Sequence, residues 1–372
     1  MITGADARPG VSGPVGHRSV ALRGCARIRH HAPVLVLFLL SPLVAEVLFG
    51  ATPFSRWGSL VAIAPLYGGG AVLIRELARR RGRGWWRIAL LGAAYGIIEE
   101  GLAIQSLFNP DLFNAAMVGG RAFGVNWIWT EWTIGYHVVW SVCIPILLAE
   151  LLFPRRRAEP WIGTTGVLVA GSLFALGTLA VGVIFRLAVA PNFRTPLPLL
   201  GGAMMLVAGL VTLALGWPAD LGRREPPGPK RPAPSPWFVG LVALTAGLAW
   251  FHLLDLPHVL RTWPLALVPL LLGCLAATAL AALIRRWTTQ GREWTSLHAL
   301  ALVGGALVPS TLVGIFLITA GDRVDQIGQV VVAGIALLLL TAFAVRLRTR
   351  TGAAPDLVSA EAARRLATDE RS

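Results

Sequence analysis

Charge is what this sequence has least of. Only 14% of its 372 residues are Asp, Glu, Lys or Arg, against roughly 25% in soluble domains. A water-soluble globular surface is thereby excluded. Lysine is nearly missing, and Lys230 is its single occurrence. The other basic residues are arginines in short loops between apolar runs. They build no continuous basic face, so nucleic acid is excluded as a partner despite a formal net charge of +14. Cysteine is scarce as well. Cys25, Cys143 and Cys274 form no CxxC pair and no Cys/His zinc spacing. The last two read as small apolar packing residues.

What remains is apolar. Hydrophobic residues make up 55% of the chain and the mean hydropathy is +0.66. They fall into runs of about 20, the length that crosses a bilayer core. The expected fold is an all-α, polytopic transmembrane bundle of about ten spans: 32–50, 58–78, 85–106, 130–153, 161–185, 196–216, 237–254, 263–284, 297–320 and 327–346. Arginine placement tests this count independently, because cytoplasmic loops carry the excess of Lys and Arg. With the N-terminus inside, the inner loops hold Arg79–Arg81 and Arg83, Arg155–Arg157, Arg223, Arg224, Lys230 and Arg231, then Arg285, Arg286 and Arg292. The outer loops hold about one arginine each: Arg56, Arg121, Arg194, Arg261 and Arg323. The alternation survives all ten spans, which puts both termini in the cytoplasm of a plasma-membrane protein.

The same reading divides the chain. Residues 1–31 form a basic N-tail, whose run of arginines before an apolar stretch reads as a retained signal anchor. Residues 32–216 form a six-span half. Residues 217–236 are a Pro-rich cytoplasmic linker. Residues 237–346 form a four-span half, and 347–372 a polar C-tail with a possible short helix over 360–366.

Within this apolar frame, Glu99 and Glu100 stand side by side on the third span. Each carboxylate there costs at least about 2.5–3.5 kcal/mol to insert, which makes an intramembrane pair a functional-site hypothesis. The pair lies roughly 9 Å below the outer helix end at 1.5 Å per residue. Gly92, Gly96 and Glu100 share one stripe at i, i+4, i+8, and the small pair lets another helix approach closely. Tyr95 lies one turn below Glu99. On the next span Thr133, His137 and Ser141 form a polar stripe at a similar depth. Pro145 removes an N–H from that helix and is expected to leave the Ser141 carbonyl free. The segment 108–131 between these spans is rich in aromatics and is expected to cover a polar cavity as a lid or to lie in the interface as a belt. Arg121 in it is the expected charge partner of a glutamate, and Gln105 a supporting group.

Two buried carboxyls beside a histidine suit a proton carrier or a general base. The bland reading is a hydrogen-bonded pair that ties helices together. Other polar groups read more weakly. Glu46, near the outer end of the first span, is balanced between the two. His252, Asp255 and His258 are weak metal candidates at an outer helix end. Arg75-Glu76 reads as an inner helix end with Arg75 snorkelling to the interface. Tyr67 with Gly68–Gly70 and His298 read as structural.

Glu99-Glu100 followed by His137 resembles the motifs of the CPBP family (CAAX proteases and bacteriocin-processing, or Abi, membrane proteins). That resemblance implies an intramembrane Glu/His site that activates water for peptide cleavage. Ile104 stands where the family has an arginine, and Thr133 where it has a phenylalanine. The readings carried forward are therefore a CPBP-like protease, a proton-coupled carrier using the Glu pair, and a non-catalytic membrane scaffold. The lipid bilayer is the expected partner. Cofactor, metal need, substrate (peptide or small solute) and oligomeric state are not written in the sequence.

Overall fold

A bilayer core offers no water to backbone N–H and C=O groups, so long apolar runs close their hydrogen bonds within themselves. The computed structural model, which describes residues 31–82, 84–217 and 231–369, is accordingly all-α. Its main helices are α1 (His31–Val47), α2 (Leu60–Arg80), α3 (Trp85–Gly96, continued by Ile97–Ala103) and α4 (Trp127–Leu152). They are followed by α5 (Thr164–Val189), α6 (Leu197–Gly216), α7 (Pro236–Asp255), α8 (Leu267–Gln290), α9 (Ser296–Ile318) and α10 (Arg323–Asp369). The strands among the described residues are two-residue pairs, such as Arg121–Ala122 with Val125–Asn126.

Each of the ten expected runs lies on one of these helices. Eight are long and apolar enough to cross a membrane. The other two are α1, which is shorter, and α3, which carries Arg87, Glu99 and Glu100 in its length. α10 runs unbroken to Asp369, beyond the expected end of the last span at 346. Residues 1–30, with Cys25, and 218–230 of the linker lie outside the described residues.

The bundle has a buried centre and a lipid-facing skirt. In α4, 67% of the most apolar stretch is buried, while in α10 none of it is. The side chains packed against Val142 and Ile146 of α4 come from α1, α2 and α3, including Leu37, Leu66 and Ile88. Glycine sets the closest helix contacts. A Cβ on Gly177 of α5 would collide with the Leu66 backbone of α2, and one on Gly305 of α9 with the Gly240 carbonyl of α7. Gly92 of α3 rests against Val138 of α4, and Gly96 against Ile134 and His137, with 3.3 Å and 3.1 Å left for a Cβ. Gly177→Ala is therefore expected to lose about 1–3 kcal/mol through overpacking. Gly201→Ala, with open space around it, should unfold like wild type. Thermal unfolding of both in one detergent measures the difference.

At the predicted inner side the structure corrects the reading of Arg75. It does not snorkel. Arg75 and Glu76 are both 0% exposed, and the Arg75 guanidinium lies 3.4 Å over the Trp161 ring. Arg75 Nη1 meets Glu76 Oε1 at 2.6 Å and Arg75 Nε meets Glu150 Oε1 at 3.3 Å. Arg79 grips both oxygens of Glu150 at 2.8 and 2.7 Å. Glu76 accepts from the Trp161 backbone N–H at 3.0 Å. The loop after α4 folds back over the helix end and brings carbonyls of Arg156 and Arg157 to Arg75, which seals the cations from water. His298 is likewise structural in its contacts. It closes a capping box with Thr295 at the start of α9, and its Nε2 meets the Pro234 carbonyl at 2.9 Å.

Candidate functional site

Three helices change pitch at the same place. α1 turns π-helical over Leu43–Val47, α3 over Ile97–Ala103 and α4 over His137–Cys143. A π-helical turn inserts an extra residue into the i→i−4 ladder and is frequent at functional sites. These three turns hold Glu46, then Glu99 and Glu100, then His137 and Ser141. In α4 the cause is visible in the sequence, because Pro145 has no N–H to give. The Ser141 carbonyl is not left free as expected. It accepts from Ser41 Oγ of α1 at 2.7 Å, so the proline fastens α4 to α1.

His137 is the hub. Its Nε2 lies 3.1 Å from Glu100 Oε1. Its Nδ1 lies 3.0 Å from Ser141 Oγ and 3.4 Å from Glu99 Oε2. The two carboxyls thus sit at opposite nitrogens of one ring. Glu100 is completed by a short hydrogen bond from Ser106 Oγ, and Ser106 in turn accepts from Trp129 Nε1 at 2.9 Å. Glu46 of α1 takes Tyr67 Oη at 2.6 Å and Thr52 Oγ1 at 2.8 Å. Tyr67 joins the two halves of the cluster, with its ring 6.2 Å from His137 and 6.0 Å from Tyr95. Glu99 Oε2 and Tyr95 Oη make no hydrogen bond of full geometry, although each lies beside other polar members of the cluster.

The region is closed. Glu99 is 3%, Glu100 7% and His137 2% exposed, so the expected open cavity is instead a packed polar core. In water-free surroundings buried charges need partners. This cluster offers three carboxyls and one imidazole, and among the described residues no arginine or lysine is hydrogen-bonded to it. Such an arrangement can hold protons and pass them between Glu99 and Glu100 through the two nitrogens of His137.

The outer segment provides the cover, and it is partly lid and partly belt. Phe108 and Trp129 are buried, while Phe113 and Phe123 are exposed. Gln105 adopts a left-handed φ of 65°, which stops α3 and turns Ser106 back toward Glu100. Asn126 is fully buried and donates to the carbonyls of Ser106 and Asn109 at 3.3 and 3.1 Å.

Several expected assignments change. Arg121 does not pair with a glutamate. It sits exposed on the hairpin and donates to Asn126 Oδ1 at 2.7 Å, because the turn at Phe123–Gly124 directs it outward. Gln105 accepts from Thr195 Oγ1 at 2.8 Å and does not touch the Glu pair. Thr133 is buried one turn from His137. His252 and Asp255 are 75% and 71% exposed and 3.8 Å apart. Pro257 ends their helix before His258, and among the described residues no group of three metal-binding side chains converges. Cys274 of α8 is exposed, against expectation, and lies beside Glu131 of α4. Glu46, Tyr67 and Ser106 are the members that sequence reasoning did not place in the cluster. Glu46 carried a signal, as a lone carboxyl at the same depth. Ser106 carried none, since its position depends on the left-handed turn.

The model of a family described as an uncharacterized membrane protein family matches residues 35–345. The chain is 28% identical over 228 residues to a protein of Escherichia coli K12 described as the uncharacterized MFS-type transporter YhhS. The proteins of the same description from Shigella flexneri and Escherichia coli O157:H7 match at the same identity. The alignment covers 53% of either chain, so the chain spans about half the length of the curated relatives it matches. No solved structure matches. These findings overturn the resemblance to CPBP proteins. The family that matches most of the chain is a different one, and Glu-Glu on a membrane helix, without the arginine at 104 or the phenylalanine at 133, does not carry that name.

Proposed function

The chain belongs to this uncharacterized membrane protein family, and on that premise we propose that it is a proton-coupled solute carrier of the plasma membrane. The observation that carries the reading is the pair of carboxyls placed at the two nitrogens of His137, at 3.1 and 3.4 Å. An imidazole that takes a proton at one nitrogen and releases one at the other moves a net proton without rotating. Glu99 and Glu100 are then the two ends of a short relay, with Ser141 and Ser106 holding the ring and the far carboxyl in place. The similarity to MFS-type transporters over half of the chain supports a carrier over the other membrane classes.

The test is flux. The full chain is reconstituted in liposomes with an entrapped pH-sensitive dye and challenged in turn with ethidium, benzoate and glucose. Solute-dependent proton movement is expected with wild type, and its loss in Glu99→Gln and Glu100→Gln. Equal movement in wild type and both variants would sink the reading.

A further inference from the structure

We infer that Arg261, in the turn between α7 and α8, is the latch of an outer gate: it holds the segment 107–126 down over Glu100, and outer water reaches that carboxyl only when it lets go. That the gated species is a proton rests on the carrier reading above.

The segment does not hold its own shape. Among the described residues five non-glycine residues have a left-handed φ, and four of them lie in this segment or at its hinge: Gln105, Phe113, Asn114 and Phe123. Gly119, Gly120 and Gly124 are left-handed as well. Asparagine tolerates that region, but a phenylalanine there is strained and persists only where surrounding contacts impose it. Burial does not impose it, since Phe113 is 50% and Phe123 81% exposed.

The contacts come from Arg261. Its Nη1 donates to the Met117 carbonyl at 2.6 Å, and its own carbonyl accepts from the Gly120 N–H at 2.5 Å. Side chain and backbone of one residue thus grip both ends of Met117–Gly120. Glycine is required at the contact, because a Cβ on Gly119 would lie 2.5 Å from Arg261 Cβ and 2.7 Å from the Arg261 carbonyl oxygen. Beside it the Phe123 ring meets Trp263 edge-on at 5.9 Å. The grip can release. Among the described residues no carboxylate pairs with Arg261, and its Nε is buried without a hydrogen-bond partner. A guanidinium on neutral carbonyls is held less firmly than one paired with a carboxylate, as Arg79 is with Glu150.

A continuous set of contacts carries the grip to the relay. The Gly120 carbonyl accepts from the Trp127 N–H at 3.2 Å, at the start of α4. The Asn126 N–H donates to the Leu107 carbonyl at 2.8 Å, and its side chain holds the carbonyls of Ser106 and Asn109. Ser106 then covers Glu100 through its hydroxyl. When the segment lifts, water replaces Ser106 at Glu100 Oε2. A proton leaves hydronium as an O–H bond forms on that carboxylate, and the reverse step returns it to water.

The test reads opening and proton access separately. Cys25, Cys143 and Cys274 are replaced by alanine, and Ala115, which is 1% exposed on the inner face of the segment, by cysteine. Labelling by a membrane-impermeant maleimide is expected to be about tenfold faster in Arg261→Ala, the equivalent of one hydrogen bond from a charged group. Gly119→Ala, which displaces Arg261 by contact, should match it. Arg261→Lys keeps a donor for Met117 and should label near the wild-type rate, as should Gly201→Ala in its open space. In liposomes with an entrapped pH-sensitive dye, an external acid pulse should enter about tenfold faster through Arg261→Ala than through wild type. Adding Glu100→Gln should remove that excess. Equal labelling in wild type, Arg261→Ala and Gly119→Ala overturns the latch. Faster labelling with an unchanged leak, in a protein whose wild type couples solute to protons, overturns the gate and leaves the carrier standing. Faster labelling in a protein whose wild type moves no protons with any solute supports the latch and removes the carrier reading. A misfolded Arg261→Ala is recognised by its elution profile in detergent, and Gly119→Ala then decides in its place.

Discussion

Glu150→Ala is expected to destabilise the protein by about 3–5 kcal/mol, the range for removing one partner of a buried ion pair. Glu150 is the acceptor that α4 sends into α2. It takes both Nε and Nη2 of Arg79 and the Nε of Arg75. Arg75 is 0% and Arg79 8% exposed, so neither guanidinium can reach water when the carboxyl is removed. Arg75 would keep Glu76, but Glu76 already accepts from the Trp161 backbone and cannot neutralise two cations. Glu150→Gln should cost less, because an amide oxygen still accepts. The pair Glu150→Met with Arg79→Met should recover part of the loss, since an apolar pair of similar volume avoids burying an unpaired charge. Thermal unfolding in detergent, followed by helical circular dichroism, orders these variants. A Glu150→Ala protein within about 1 kcal/mol of wild type would contradict the burial of this network.

The second large effect is on flux. Glu100→Gln and His137→Gln are each expected to reduce solute-driven proton movement by at least about 100-fold, the lower end of what a positioned proton-transfer group contributes. The two residues meet at 3.1 Å and form one path, so their losses should not add. The double variant should be about as slow as either single one. Two independent roles would instead multiply. Stability separates the relay from a structural tie. Glu100→Gln retains an acceptor for Ser106 and should unfold within about 1 kcal/mol of wild type. A variant that unfolds readily but carries protons normally when folded would move the cluster to the structural side.

The physical division between sequence and structure is clear at particular residues. Spans such as 161–185 or 196–216 are legible because hydropathy and helix closure are local properties of a run. The Gly92/Gly96/Glu100 and Thr133/His137/Ser141 stripes are legible because a helical period is set by the backbone alone. Arg75 was misread because snorkelling is judged from helix position, whereas the loop at 154–161 folds over that end and closes it. Arg121 was misread because formal charge suggested a partner, and a hairpin turn gave it another. The CPBP resemblance failed because two motif residues on a helix carry chemistry but no lineage.

The sequence by itself determined that this is an all-α membrane protein with two costly carboxyls and a histidine at one depth. It could do so because apolar length, helical period and arginine placement are each written within a few tens of residues. Only the tertiary structure decided that Glu46 and Tyr67 join them, that both glutamates reach the same imidazole, and that Ser106 completes Glu100. Those contacts arise where α1, α3 and α4 turn π-helical together and where Gln105 turns left-handed. Such departures from the regular period are set by what each helix must meet on its neighbours.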